Sequence, residues 1–107
     1  MDTIQEMTEA AVKFRDDRDW AKFHTAKDCG IGLVVEASEA AELFLYKTDE
    51  DIVAGGENWR EELGDELSDV LYWVLLTAYK YDVDLADAFP RKLEKSAKKY
   101  PVKNERT

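Results

Sequence analysis

Apolar positions recur along this chain with the spacing of helix faces. Ile4, Met7, Ala11, Val12 and Phe14 recur at helical spacing and predict a first helix from about Asp2 to Asp16. The charged run Arg15-Asp16-Asp17-Arg18-Asp19 ends it, and Trp20 to His24 reads as a connection or short turn. Thr25 can cap a second helix running to about Tyr46, although Gly30 and Gly32 weaken its first turns. Thr48 to Gly56, with three consecutive acids and the Gly55-Gly56 pair, reads as a polar loop. Asn58 can then cap a third helix from Trp59 to about Tyr81, and Asp84 starts a fourth that ends near Tyr100 and Pro101, before a polar tail. Pro90 inside the last segment predicts a kink or a restart. No segment alternates with a period of two over a useful length, and there is no repeat or linker-like tract. The pattern predicts one all-α domain over residues 1–107, a four-helix-bundle-like arrangement of antiparallel neighbours.

Composition narrows what such a bundle does. The net charge is −9, from 24 acidic and 15 basic residues. That balance argues against nucleic-acid polymers and membrane surfaces as partners, since both need clustered positive charge. It suits an acidic site neutralised by bound cations. A chain of 107 residues buries only roughly two-thirds of its unfolded surface. Together with long helices and an apolar fraction of 45%, this predicts a homo-oligomer whose core extends across subunits. The lone Cys29 reads as a small core residue, because the only histidine, His24, is five positions away. No apolar run reaches the ~18 residues of a membrane span, and Met1 to Glu6 lack the features of a signal peptide. A cytoplasmic location is expected.

The informative chemistry is carried by two pairs of carboxylates, Glu36/Glu39 and Glu66/Asp69, each spaced three residues apart and so on one helix face. On a helical wheel Glu36 and Glu39 share their sector with Ala40 and Leu43, and Glu66 and Asp69 share theirs with Val70 and Trp73. An antiparallel hairpin brings the two pairs to the same level, so four carboxylates converge in a partly apolar groove. Like charges so close need protonation or a hard cation. All-oxygen ligation points to Mg²⁺, with Mn²⁺ as a possible substitute, and to a substrate that carries phosphates. Glu62 and Asp65, one turn earlier, fit either a supporting role or a solvated flank, and Glu42 reads as solvated. Arg91, Lys92, Lys95, Lys98 and Lys99 gather on the fourth helix, with Lys47 after the second. They fit either complementation of a helix dipole or a grip on polyphosphate, Lys92 and Lys99 sharing one face. Trp20, Phe23, His24 and Tyr46 are candidates to stack on a base or hydrogen-bond to it.

Glu36-Ala-Ser-Glu39, a spacer, then Glu66-Leu-Ser-Asp69 resembles the signature of the MazG-like, all-α nucleotide pyrophosphohydrolases. The closer resemblance is to the dCTP pyrophosphatase branch. It is carried by Arg18-Asp19-Trp20-Ala-Lys-Phe23-His24, by the run from Glu36 to Phe44, by Glu61-Glu62 and the run from Glu66 to Leu71, and by Lys92 and Lys99-Tyr100-Pro101-Val102. The resemblance implies Mg²⁺ ligation by Glu36, Glu39, Glu66 and Asp69. It also implies hydrolysis of a (deoxy)nucleoside triphosphate, dCTP or a related one, to the monophosphate and pyrophosphate. House-cleaning or control of nucleotide pools would be the cellular task. It further implies a homo-oligomer, a dimer or dimer of dimers, with sites near subunit interfaces. Trp20 and His24 match positions lining the nucleoside pocket, and Lys92 and Tyr100 match positions near the phosphates or base. Tyr46 stands where the branch carries Trp, and Ser96 where it carries Asn, which changes the pocket and the base it prefers.

The expected mechanism is metal-assisted attack of water on the α-phosphorus, with Glu39, or next Glu36, orienting or deprotonating the water. The alternative is a non-catalytic helical module that senses nucleotides or binds another protein. It would bind without turnover.

Overall fold

A computed structural model describes Met1 and residues 3–103, and these form helices with no strand among them. Four helices follow in order: α1, Ile4–Asp17; α2, Ala26–Glu42; α3, Asp49–Lys80; and α4, Leu85–Lys99, with a short 3₁₀ turn at Ala21–Phe23. The expected start of the first helix, Asp2, and the last residues of the polar tail, 104–107, lie outside the described residues. None of the described helices is long and apolar enough to cross a membrane.

Each helix starts on a side-chain cap that satisfies otherwise orphaned N–H groups. The Thr3 hydroxyl accepts from the Glu6 N–H at 3.0 Å. Thr25 and Asp28 form a reciprocal capping box at α2, and Thr48 and Asp51 form another at α3. Asp84 accepts from the N–H groups of Ala86 and Asp87. At the other ends of α1, α2 and α3 the chain turns through left-handed residues, Asp19, Tyr46 and Asp82.

Three boundaries differ from the sequence pattern. The second helix stops at Glu42, not Tyr46, and a tight turn carries the chain to Thr48. Thr48 to Gly56 is not a loop. Its three acids occupy the first turn of a helix, where they complement the N-terminal dipole. The helix starts at Asp49, ahead of Asn58, and is broken at Gly56, whose φ of 57° and ψ of −141° leave the helical region. Pro90 lies inside a continuous α4, so there is no restart there. Its ring removes one backbone donor, the one that would pair with the Ala86 carbonyl, and the helix continues past it.

α3 packs along α2 and, over a shorter stretch, along α1. The Trp59 indole N–H donates to the Leu43 carbonyl at 3.0 Å, and at the other end Gly32 faces the Trp73 ring. Those two contacts set an antiparallel α2–α3 register. A Cβ at Gly32 would collide with the indole, so this glycine permits the close approach. Among the described residues the buried apolar ones are Ala11 of α1, Cys29 and Ala40 of α2, and Leu75 and Leu76 of α3. Cys29 is a core residue, as its isolation in the sequence indicated. α4 departs from the expected bundle: only its first turn, at Leu85 and Ala86, lies against the body, and Phe89 and Leu93 are 65% and 54% exposed.

Candidate active site

Between the Leu43–Trp59 and Gly32–Trp73 contacts, the hairpin sets Glu36 and Glu39 of α2 opposite Glu66 and Asp69 of α3. One carboxylate oxygen each from Glu36, Glu39 and Glu66 lies within 4.8 Å of the others. Glu36 and Glu66 are half-buried, and each keeps one oxygen shut off from water with no hydrogen-bond partner. Glu39 is exposed at the rim. Asp69 stands outside this triad of oxygens but lines the adjoining cleft, and its charge acts on both Glu36 and Glu66.

The electrostatics follow from that crowding. Burial, then a hydrogen bond shared with Glu39 and the charges of Glu39, Asp69 and Glu66, hold the Glu36 carboxyl above the ordinary carboxylate value. Burial also raises Glu66, with Glu39, Asp69, Asp65 and Glu42 adding to it. The last two place Asp65 and Glu42, both exposed, in the field of the cluster. Two unpartnered buried oxygens beside a third carboxylate are a donor set suited to a hard divalent cation, which would satisfy both oxygens and offset the repulsion.

Beside the carboxylates opens a cleft of about 600 Å³, walled by Met7, Ala10, Ala11 and Phe14 of α1, Trp20, His24, and Leu71, Tyr72, Trp73 and Leu75 of α3. Glu36, Ser68 and Asp69 form its acidic end. Its aromatic wall is continuous. Phe14 meets Trp20 edge-on at 5.7 Å and Tyr72 at 6.0 Å, and the His24 ring leans on Trp73 at 4.9 Å. Burial lowers the His24 pKa, Arg15 and Lys80 lower it further, and Asp28 opposes them. The imidazole is therefore biased to its neutral form, with Nδ1 buried and unpartnered. An apolar, ring-lined slot with a few convergent polar atoms and an acidic end can take a planar heterocycle that carries a metal-bound polyphosphate.

Trp20, His24, Glu36 and Asp69, singled out from sequence, line this cleft, and Glu39 and Glu66 complete the carboxylate group. Tyr46, Lys47, Lys92, Ser96, Lys99 and Tyr100 do not line it within one chain. Tyr46 is fully exposed in the turn after α2, with Lys47 beside it, and the other four ride on α4 or its end. The sequence pattern did not single out Phe14, Tyr72 and Trp73 as cleft residues. Trp73 could have been found, since it shares the helical sector of Glu66 and Asp69. Phe14 and Tyr72 carry no signal that separates a cleft wall from a core.

Comparison with known proteins agrees with this geometry. Residues 31–107 match the model of the MazG-like family. The proteins named dCTP pyrophosphatase 1 from Bos taurus, Mus musculus and Homo sapiens are each 35% identical over 104 residues, covering 94% of this chain. The chain spans 60% of the length of these curated relatives. A solved structure of a pyrophosphatase from Archaeoglobus fulgidus superposes with a TM-score of 0.82 at 29% identity, covering 92% of each chain.

Proposed function

This chain belongs to the MazG-like family, and on that premise we propose that it is a Mg²⁺-dependent nucleoside triphosphate pyrophosphohydrolase. Its substrate would be dCTP or a related deoxynucleoside triphosphate, cleaved to the monophosphate and pyrophosphate. The observation that carries this reading is the convergence of three carboxylates within 4.8 Å at the end of an aromatic cleft sized for a nucleoside. The names of the relatives point the same way.

In this mechanism Glu36, Glu39, Glu66 and Asp69 would hold the metal. Bound there, Mg²⁺ would polarise phosphate oxygens and offset charge on the departing pyrophosphate. Glu39, at the solvent-facing rim, would orient the attacking water and take its proton, with Glu36 as the next candidate. Trp20 and His24 hold the nucleoside, and the ring wall excludes water from it. The remaining sequence-derived contacts, Tyr46, Lys47, Lys92, Ser96, Lys99 and Tyr100, require a second subunit to approach a cleft, which makes a homo-oligomer part of the proposal.

The test is pyrophosphate release from the canonical and a few modified NTPs and dNTPs, with Mg²⁺ and with EDTA. Metal-dependent release with the monophosphate as co-product is expected. No release from any of them would overturn the catalytic reading in favour of a non-catalytic nucleotide-sensing or protein-interaction module.

A further inference from the structure

Tyr72 stands in the cleft wall between Phe14 and Trp73, its ring nearly perpendicular to both, with interplanar angles of 87° and 88°. Its hydroxyl is shut off from water and has no hydrogen-bond partner. The two cations whose charge reaches it are engaged elsewhere. Arg15 pairs with Asp16, and Arg18 donates to the Phe14 carbonyl at 2.9 Å. Burial holds the phenol above its ordinary value against the pull of those arginines. It is a neutral O–H, able to donate and to accept. An unpaired buried hydroxyl is a cost to folding that phenylalanine would not carry.

Its position gives that cost a purpose. Tyr72 lies one turn of α3 beyond Asp69, about 5 Å along the axis and away from Glu66. A triphosphate held at the carboxylates extends its nucleoside along the same cleft, past this turn. Phe14, Trp20 and Trp73 offer ring surface there, which stacks on any base alike. Discrimination needs a polar atom that is left unpaired when the wrong base enters. Resting on the nucleotide reading above, we propose that Tyr72 is a specificity-determining residue whose hydroxyl hydrogen-bonds to the polar edge of the bound nucleobase.

Tyr72→Phe removes the hydroxyl and keeps the ring. Three quantities test it: the melting temperature without nucleotide, calorimetric affinities for non-hydrolysable triphosphates of each base with Mg²⁺, and KM and kcat. The melting temperature should stay unchanged or rise. Affinity for the preferred base should drop roughly tenfold, the size of one lost hydrogen bond, while the other bases change little. The loss should fall on KM. A lower melting temperature would show a hydroxyl already satisfied inside the fold and overturn the proposal, as would unchanged affinity ratios between the preferred base and the others. Binding without turnover in the parent protein would overturn the reaction alone, leaving the affinity ratios to judge Tyr72. Failure of every base to bind the parent protein would overturn both.

Discussion

Glu36 and Glu66 each hold an unpaired oxygen out of water, and their raised pKa values fix the sign of a pH effect. A carboxyl whose folded value lies above its unfolded value stabilises the fold while protonated. That stability is present below the unfolded value and is lost as pH rises through the folded one. His24 acts the other way: its lowered pKa contributes stability that fades as pH falls below its unfolded value. Substitution separates the two. In EDTA at neutral pH, Glu66→Gln should melt higher than the parent protein, because it removes a charge the metal-free fold must hold against burial and its neighbours. It should also lose the rise in melting temperature that Mg²⁺ gives the parent. Turnover should fall by about 100-fold or more, as it should for Glu36→Gln, Glu39→Gln and Asp69→Asn. A Glu66→Gln protein that melts no higher in EDTA, yet still gains from Mg²⁺, would remove Glu66 from the metal site. These carboxylates were legible in the sequence because a three-residue spacing inside an apolar stripe leaves charged groups few places to point. Tyr72 was not, since an aromatic at helical spacing looks the same whether it walls a cleft or fills a core.

The α2–α3 hairpin shows where local pattern reading succeeds and where it fails. The antiparallel hairpin that brings Glu36 to Glu66 could be read from the sequence, although its register is set by the Leu43–Trp59 and Gly32–Trp73 contacts rather than by the helix ends. The start of α3 could not, because three acids followed by two glycines have the composition of a loop. What makes Thr48 to Gly55 helical is the capping box from Thr48 to Asp51, with helix-dipole complementation by Asp49, Glu50 and Asp51. Thr48→Ala should therefore cost about 1 kcal/mol in urea denaturation. Gly32 is the opposite case, a residue that weakens its helix and whose reason lies on another one. Gly32→Ala should gain helix propensity but lose more, because its methyl meets the Trp73 ring. A net destabilisation of roughly 1–3 kcal/mol is expected from overpacking, together with impaired nucleotide affinity as Trp73 is displaced in the cleft wall. A stabilised Gly32→Ala protein with normal affinity would show that α2 and α3 do not pack this closely.

The radius of gyration of the single chain is 17.5 Å, whereas a compact domain of this length has about 13 Å. The excess comes with a small core and with α4, which carries one strongly apolar face but packs along none of the other helices. Ile31, Val34 and Leu45 of α2 and its following turn, and Leu67 of α3, are likewise more than half exposed or close to it. So much apolar surface is unstable in water, and a core this small leaves little to offset chain entropy. The association of identical chains proposed above would cover it and would bring the lysines of α4 toward an acidic neighbour, which they do not meet within the single chain. The sequence reading gave α4 its basic cluster but not its apolar face, and a helix wheel cannot say which molecule such a face meets. Sedimentation equilibrium at micromolar concentration should therefore give a mass of at least a dimer, with a melting temperature that rises with protein concentration. Phe89→Glu combined with Leu93→Glu touches nothing in the chain's own core, yet should lower the association and, with it, turnover. A parent protein that is monomeric, folded and fully active would place the whole site within one chain and exclude the α4 lysines from it.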